Sequence, residues 1–573
     1  MTVNGPDDAV LEWDDINWRL HEDNVRRLRG RIFKATKDGD WPTVRNLQKM
    51  MLRSWSNTLV SVRQVAQRNA GRATAGIDGK VALTSPARMD LAVQTHRTTR
   101  SFQPRAVKRV YIPKANGKQR PLGIPVISDR AHQARHRNAL EPEWEARFEP
   151  RSYGFRPGRS CQDAIAVIHV TSCGTTARRI WVLDADLSAA FDRIDHNHLL
   201  ATIGPYPGRD MIREWLKAGV FEPGKGFAPT DEGTPQGGVI SPLLLNVALH
   251  GLEEAAGVQY ERSDTRRTKR GSPSLIRYAD DMVALCHTRQ EAEQVKAKLA
   301  AWLAPRGLTF NEEKTKIVHL DDGFDFLGFT ARRMRGKLII KPSKAAIKRV
   351  NHRLATEFRA LRGGNVAMLL VKINPIIRGW ANYYHGVASS RVFAALDRHL
   401  WQLTYKWACY RHSDKPKPWI INRYFGRYNK TRQDHWVFGD RDSGAYMPKF
   451  AWTNIVRHQL VRGQASPDDP TQADYWATRR RKRKPLLDPS TLRLLRRQHG
   501  RCPICEDLLL HADREPHTPQ EWEQWHRTTR KAITRQHIVA HGRTGPPDQT
   551  RLVHSSCLRR TTGAHGEPAL LYS

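Results

Sequence analysis

Three acidic side chains in two short stretches could hold metal ions for phosphoryl transfer. Tyr278-Ala279-Asp280-Asp281 lies between short apolar runs at 275–278 and 282–285. Two adjacent aspartates between strands suit a tight hairpin with the carboxylates at its tip, although a lone Asp-Asp in a turn is more often simply solvated. Val182-Leu183-Asp184-Ala185-Asp186-Leu187 reads as a strand ending in carboxylates, and Ser188-Ala189-Ala190-Phe191-Asp192 turns from it into a helix. If the two strand ends are neighbours in one sheet, Asp186, Asp280 and Asp281 converge. Clustered carboxylates repel one another unless cations hold them together, and hard oxygen ligands select Mg2+. Two such ions a few ångströms apart can activate a 3′-hydroxyl and stabilise a leaving pyrophosphate. That chemistry asks the protein chiefly for positioning and charge neutralisation.

A second constellation lies near the C-terminus. Cys502-Pro503-Ile504-Cys505 is half a zinc site by spacing, and His554-Ser555-Ser556-Cys557 supplies a second half. Four N/S ligands in two pairs close a tetrahedron and let a domain with little core fold around Zn2+. A thioredoxin-like redox role fits less well, because no βαβ pattern surrounds the pair.

Elements must carry these groups. Apolar positions such as Leu28, Ile32, Phe33, Leu47, Met51 and Leu52 recur at helical spacing, with a Gly/Pro turn at 37–42 between two helices. Lys108 to Pro125 looks like a strand pair turning at Ala115-Asn116-Gly117-Lys118. Short apolar runs at 180–183, 275–278 and 282–285 predict buried strands, and Ile347, Val350, Leu354, Phe358 and Leu361 an amphipathic helix. The Pro/Gly/Asp-rich stretch 463–470 reads as a linker. Six consecutive basic residues follow at 479–484, a phosphate-binding or merely solvated linker.

The charge agrees with a polyanion partner. Lys and Arg total 95 against 57 Asp and Glu in 573 residues, a formal +38 spread along nearly the whole chain. Such a field attracts RNA and DNA. A ribosomal or chromatin-packing protein would be shorter and poorer in Trp than this chain with its 17. The length suits about three or four domains. Nothing resembles a transmembrane run or a signal peptide, and the scattered cysteines suit a reducing cytoplasm.

Arg277-Tyr278-Ala279-Asp280-Asp281-Met282-Val283 resembles the signature of reverse transcriptases, and further blocks fall in that family's order. Thr74-Ala75-Gly76-Ile77-Asp78-Gly79 is similar to the N-terminal block of group II intron enzymes. Tyr111-Ile112-Pro113-Lys114 with Arg120-Pro121-Leu122-Gly123-Ile124-Pro125 resembles the fingers hairpin, and Tyr153-Gly154-Phe155-Arg156-Pro157-Gly158-Arg159-Ser160 the next block. Gly233-Thr234-Pro235-Gln236-Gly237-Gly238-Val239-Ile240-Ser241-Pro242 is very similar to the block before the paired aspartates. Gly307-Leu308, Asn311, Lys314-Thr315-Lys316 and Phe326-Leu327-Gly328-Phe329 close the series. The resemblance covers roughly Trp13 to Tyr428. It implies that Asp186 and Asp280 ligate two Mg2+ ions, with Asp281 supporting them and the Leu187 carbonyl a further ligand. It also implies that Lys114 and Arg120 hold the incoming deoxynucleoside triphosphate, that Gln236 packs by the nucleotide and primer end, and that Phe191 is the steric gate against a 2′-hydroxyl. Without the family, Phe191 would read as a core residue at a helix start. Asp192 reads as structural.

Ile373-Asn374-Pro375-Ile376-Ile377-Arg378-Gly379-Trp380-Ala381-Asn382-Tyr383-Tyr384 resembles the maturase segment that binds group II intron RNA and assists splicing. Arg378, Trp380, Tyr383 and Tyr384 are the candidates for RNA contact, by phosphate pairing and base stacking; some of these rings would instead fill the thumb core. Between the two Cys/His pairs, Arg535-Gln536-His537-Ile538-Val539 resembles the H-N-H endonuclease domain, with His537 as the base that deprotonates water. The chain departs from that pattern: Gln536 stands at a metal-ligand position, Gln549 at the Asn position, and Leu558 where a His follows the last Cys. A neutral amide binds Mg2+ poorly and Leu not at all, so DNA binding is expected with cleavage weak or absent, unless His541 substitutes as a ligand.

The expected fold is α+β and multidomain: a right-hand polymerase with an antiparallel fingers and palm sheet, a helical thumb, and a zinc-bound ββα-type domain. The expected boundaries are a helical extension over 1–100, fingers and palm over 101–332, and thumb and maturase over 333–445. A basic DNA-binding linker over 446–490 and the H-N-H-like domain over 491–573 complete the chain. The resemblance implies an RNA-directed DNA polymerase and maturase supporting retrohoming. Its partners would be intron RNA, target DNA and deoxynucleoside triphosphates, and it allows a homodimer on the RNA. The place would be a bacterial cytoplasm, at the nucleoid when acting on DNA. Two rivals stand beside it: a reverse transcriptase with another task, such as a retron or antiphage enzyme, and an RNA-binding splicing factor that has lost polymerisation.

Overall fold

Side-chain caps start the N-terminal helices. Asn17 accepts from the Leu20 N–H ahead of helix Trp18–Lys37, and Asp40 from Thr43 ahead of Trp41–Arg53, where Pro42 sits in the first turn. With Trp55–Arg63 these helices pack around the long, largely buried helix Ile127–Arg147. In this computed structural model the described residues are 12–99, 101–113, 119–174, 177–261, 267–429, 431–482, 487, 489–506, 508–510, 516, 518–538, 549–555 and 557–558. Two compact units emerge. The first comprises Met1–Ser172, Thr176–His319 and Val461–Arg479, the second Cys173–Thr175, Leu320–Leu460 and Arg480–Ser573.

The strands of the first unit are β1 (Val107–Pro113), β2 (Gln119–Ile124), β3 (Trp181–Asp186), β4 (Val220–Glu222), β5 (Gly226–Ala228), β6 (Ser274–Tyr278), β7 (Asp281–Cys286) and β8 (Lys316–His319). They form two four-stranded sheets, ordered β2-β1-β4-β5 and β6-β7-β3-β8. The second is antiparallel throughout. Helix Arg289–Leu303 packs on it, and Leu183, Ala185, Met282, Ala284, Val295 and Leu299 share one apolar core. Alternation along β3 turns Asp184 and Asp186 away from that core.

In the second unit, β9 (Phe324–Phe326), β10 (Phe329–Met334) and β11 (Lys337–Pro342) form an antiparallel sheet. Helices Lys344–Ala360, Val366–Tyr384, Ser390–Arg411 and Lys417–Tyr424 follow, then a two-stranded ribbon of β12 (Phe425–Gly426) and β13 (Val437–Phe438). Near the C-terminus β14 (Ile533–Ile538) and β15 (Gln549–His554) pair antiparallel. Helix Pro519–Ala532 packs against Val366–Tyr384. They approach closely at Gly379, where a Cβ would meet the Glu523 nitrogen at 2.6 Å and the Pro519 oxygen at 2.8 Å. Glu523 is buried there and pairs with Arg353 at 2.6 Å and Arg527 at 2.5 Å, while Asn382 Nδ2 donates to His526 Nε2 at 3.0 Å. No helix among the described residues is long and apolar enough to cross a membrane.

Two readings change. The 463–470 stretch is not a free linker but an ordered part of the first unit. Arg479, the first of the six basic residues, is buried against Asp163 and so is not offered to phosphate. Both follow from partners more than 300 residues away, which local composition does not announce.

Candidate functional site

Strand pairing brings the three carboxylates to one end of the β6-β7-β3-β8 sheet. β3 and β7 run in a register that sets Asp186 directly opposite Asp281. β6 pairs with β7 as far as Tyr278 opposite Asp281, leaving Ala279 and Asp280 as a two-residue turn. Ala279 takes φ +59°, a left-handed conformation that costs an L-residue about 1–2 kcal/mol. A buried network holds this turn. Arg277 Nη1 donates to Asn246 Oδ1 at 2.9 Å and to the Ala279 carbonyl at 3.1 Å, and its Nη2 donates to Ser152 Oγ at 2.7 Å. Asn246 Nδ2 donates to the Gly154 carbonyl at 2.8 Å. Position 154 must be glycine, since a Cβ there would collide with the Ala279 backbone.

Burial pushes the Asp280 carboxyl above its ordinary range, with Asp186 adding to the rise. Asp281 is pushed well above it, first by burial, then by Asp280 and Asp186, and it shares a hydrogen bond with Asp186. Lys314 Nζ lies 2.5 Å from Asp186 Oδ2, and that hydrogen bond raises its own pKa. The Asn311 N–H donates to the Asp186 carbonyl at 2.8 Å. These hard oxygens, crowded enough to share a proton and draw in an ammonium, fit divalent cations. Lys314 is the residue that reasoning from types and spacing missed. Its only signal was its place in a block just ahead of β8, the strand that pairs with β3 up to Asp184.

Around this cluster, Arg120 is exposed on β2, and its Nε donates to Gln236 Oε1 at 3.0 Å. The Gly123 N–H donates to the Gln236 carbonyl at 2.8 Å, and a Cβ at Gly237 would lie 2.5 Å from the Gly123 oxygen. The 233–238 loop is thus seated on β2. Leu187 is buried and bridges to Phe310. Phe191 is 5% exposed, inside the apolar core and edge-on to Phe155 with ring centroids 6.2 Å apart. Burial raises the Asp192 carboxyl, opposed by Arg109 with its Nη1 at 3.7 Å. Lys114 lies outside the described residues.

In the second unit, Cys502, Cys505, His554 and Cys557 gather with their ligand atoms within 4.8 Å of one another. Hydrogen bonding from Cys505, with further help from His554, pulls the Cys502 thiol down to about 3. The turn is held by the Glu506 N–H on the Cys502 carbonyl at 2.8 Å, and His554 Nε2 lies 3.1 Å from the Leu508 carbonyl. Gln498 spans to β15, donating to the Leu552 carbonyl at 2.8 Å and accepting from its N–H at 2.7 Å. The set fits a tetrahedral cation with soft ligands. Gln536 Oε1 accepts from Arg551 Nε at 2.9 Å. His537 stands next to it on β14, opposite Thr550; His541 lies outside the described residues.

The aromatic candidates for RNA contact are buried. Trp380, Tyr383 and Tyr384 expose 4%, 5% and 2%. Tyr383 and Tyr384 donate their hydroxyls to the carbonyls of Leu327 at 2.9 Å and Gly328 at 3.2 Å. Trp380 and Tyr384 pack with ring centroids 4.3 Å apart, and Phe329 lies against both tyrosines. These rings form the helical core and a base could stack on none of them without opening it. Arg378, from the same helix, is half-buried.

Three family profiles match in chain order. They are the N-terminal domain of reverse transcriptase over 13–95, reverse transcriptase (RNA-dependent DNA polymerase) over 112–331, and the group II intron maturase-specific domain over 347–425. Protein YkfC of Escherichia coli K12 is 34% identical over 328 residues, 52% of this chain and 86% of that protein. Group II intron-encoded protein LtrA of Lactococcus lactis is 29% identical over 44% of this chain, which spans about half (51%) of LtrA. Maturase-like protein 1 of Euglena gracilis is 25% identical over 64% of this chain and 76% of its own length. Telomerase from Candida albicans overlaps 56% of this chain and 61% of its own at 12% identity and a TM-score of 0.29, too loose to bear on the fold. Reverse transcriptase domains use divalent metal ions, which the acidic cluster suits. From the order of these matches and the relative covered over most of its length, the chain belongs to the group II intron-encoded reverse transcriptases, RNA-directed DNA polymerases that carry a maturase domain.

Proposed function

We propose that the chain extends a DNA 3′ end with deoxynucleotides on an RNA template, using Asp186, Asp280 and Asp281 as the holders of two Mg2+ ions. The observation that carries this reading is the register setting Asp186 opposite Asp281 with Asp280 in the adjoining turn. When bound, the ions would acidify the primer hydroxyl and offset charge on the triphosphate. The chain's own residues position. Arg120 offers a guanidinium to phosphate oxygens, Lys114 an ammonium, and the Leu187 carbonyl a further ligand. Gln236, already hydrogen-bonded to Arg120, orients that side chain beside the nucleotide. Phe191 would bar a 2′-hydroxyl. Primer extension on an RNA template, with Mg2+ present or chelated, tests the reading; no Mg2+-dependent extension would sink it.

The second role is binding group II intron RNA and assisting its splicing, through the thumb and maturase helices over 333–445. Basic side chains such as Arg378 would contact phosphate there while the buried aromatics hold the helices in place. Zn2+ held by Cys502, Cys505, His554 and Cys557 would be structural. The C-terminal region would bind target DNA with weak or no cleavage, because the Gln536 amide oxygen is already engaged by Arg551. A nicking assay on intron-target DNA with a His537→Ala control decides this, and clear wild-type cutting would overturn it. The ribonucleoprotein would act in a bacterial cytoplasm, at the nucleoid during retrohoming.

A further inference from the structure

The stretch 461–479 comes after the maturase helices in the chain, yet it belongs to the polymerase unit. Its two ends meet at one buried residue, and its middle is held at a second place. At the ends, Asp163, fully buried, accepts from the Ser160 N–H and Oγ at 2.9 Å, from the Val461 N–H at 3.0 Å and from Arg479 Nη2 at 3.2 Å. Two of these four donors come from the returning stretch. Arg159, also buried, donates through Nη2 to the Gly463 carbonyl at 2.7 Å and through Nη1 to the Pro150 carbonyl at 2.9 Å. Gly158 has φ +69°, and a Cβ there would lie 2.6 Å from the Trp476 ring. In the middle of the stretch Arg29 makes a two-pronged contact with Asp468, both arms at 2.7 Å, and reaches Glu141 at 2.7 Å. Pro470 sits over Gly30.

The anchors at Asp163, Arg159 and Gly158 lie on the segment behind the aspartate turn. Residues 150–163 contain Ser152, which accepts from Arg277, and Gly154, against which Ala279 lies. The Tyr153 N–H donates to the Arg277 carbonyl at 2.9 Å, and the Arg277 N–H to the Arg151 carbonyl at 3.0 Å. Arg156, fully buried, ties the same segment to Glu145 through two bonds of 2.9 and 3.0 Å and to the Glu149 and Ser152 carbonyls at 2.8 and 3.0 Å. Buried hydrogen bonds, joined through the peptide links 159–160 and 150–151, therefore connect Val461 and Arg479 by way of Asp163, Arg159 and Pro150 to Arg277 and the turn that carries Asp280.

We propose that 461–479 is a brace of the polymerase centre and that Asp163 and Arg159 are positioning residues for its metal-holding turn. The inference rests on the polymerase reading above. A cluster of repelling carboxylates binds cations only as well as its surroundings hold it in place, and outer-shell partners commonly matter by about 10- to 100-fold in metal affinity. Freeing the stretch should then loosen the turn and weaken its grip on Mg2+ while leaving the primer-binding surface intact.

The test uses the full-length protein with Asp163→Asn, Arg479→Ala, Arg479→Lys and Asp468→Asn. Each is compared with wild type by primer extension over a Mg2+ titration, with template–primer affinity and thermal unfolding measured in parallel. The expected result is a rise of about tenfold in half-saturating Mg2+ for Asp163→Asn and Arg479→Ala, with primer affinity unchanged and rate recovered at high Mg2+. Arg479→Lys, which keeps a cation beside Asp163, should fall closer to wild type. Asp468→Asn, at the outer anchor, moves the same way by less and serves where an inner variant does not fold. Folded variants with wild-type Mg2+ dependence, or with a lower rate alone, would overturn the brace and leave the polymerase reading standing. Failure of the wild type to extend would overturn both.

Discussion

Lys314 Nζ sits 2.5 Å from Asp186 Oδ2, an ammonium answering the carboxylate cluster from the residues just ahead of β8. It is more than half exposed, and so can swing away when a stronger cation arrives. Lys314→Ala should leave the metal-free cluster with less counter-charge. The thermal shift produced by adding Mg2+ should then be larger than in wild type; an equal shift would deny Lys314 this role.

The raised carboxyls of Asp280 and Asp281 make stability depend on pH in a definite direction. An acid whose pKa rises on folding binds its proton more tightly in the folded state. Its contribution is fullest below the ordinary value of 3.8 and declines as pH climbs through the raised folded pKa. Metal-free protein should therefore lose melting temperature as pH rises above about 4, relative to an Asp281→Asn variant, and Mg2+ should recover most of the loss. Melting curves across pH, with and without Mg2+, check this.

Asp280→Ala removes a ligand from the tip of the turn. If metal binding supplies several kcal/mol to the transition state, cDNA synthesis should drop by about a thousandfold or more. Intron-RNA binding and splicing assistance, which need no catalytic carboxylate, should persist. Undiminished cDNA synthesis would deny Asp280 its metal-holding role, and a wild type that assists splicing without making cDNA would favour an RNA-binding splicing factor.

Phe191 combines two roles that one substitution separates. As a core ring it should cost about 1–3 kcal/mol when changed to Val. As a gate, Phe191→Val should also raise incorporation of ribonucleotides relative to deoxynucleotides. Melting curves read the first effect and single-nucleotide extension with either sugar the second; destabilisation with unchanged sugar selection would leave Phe191 a core residue only.

Cys505→Ser should reduce bound zinc from about one ion per chain to near zero, measured by elemental analysis of the purified protein. The small core of Leu495, Leu509, Leu552 and Val553 around the cluster should loosen with it. Primer extension should be retained. A zinc content unchanged by the substitution would argue against this ligand set.

The aspartates were legible because each sits in a local pattern: an apolar run, a turn, and a second run of strand length. Sheet pairing then did what those patterns require. The Cys and His pairs were legible for the same reason, since ligand spacing is a local property. What escaped was long-range. Arg29 and Asp468 are 439 positions apart, and Pro, Gly and Asp in 463–470 describe a flexible peptide until its partners are known. Trp380, Tyr383 and Tyr384 suggested a stacking surface because aromatic residues beside arginines suit RNA and a packed helix core alike. Helix Pro519–Ala532 went unread because its role is set by the smooth face at Gly379, where a missing side chain leaves no positive mark in a sequence.

That smooth face has a consequence for synthesis. Pro519 follows Tyr384 by 135 residues, so the covering helix leaves the ribosome long after the helix it covers. At about 5–20 residues per second, the groove beside Gly379 stays open on the nascent chain for roughly 10 s. A holdase that recognises apolar helical stripes would have that interval in which to bind, and the arrival of Glu523 beside Arg353 would evict it.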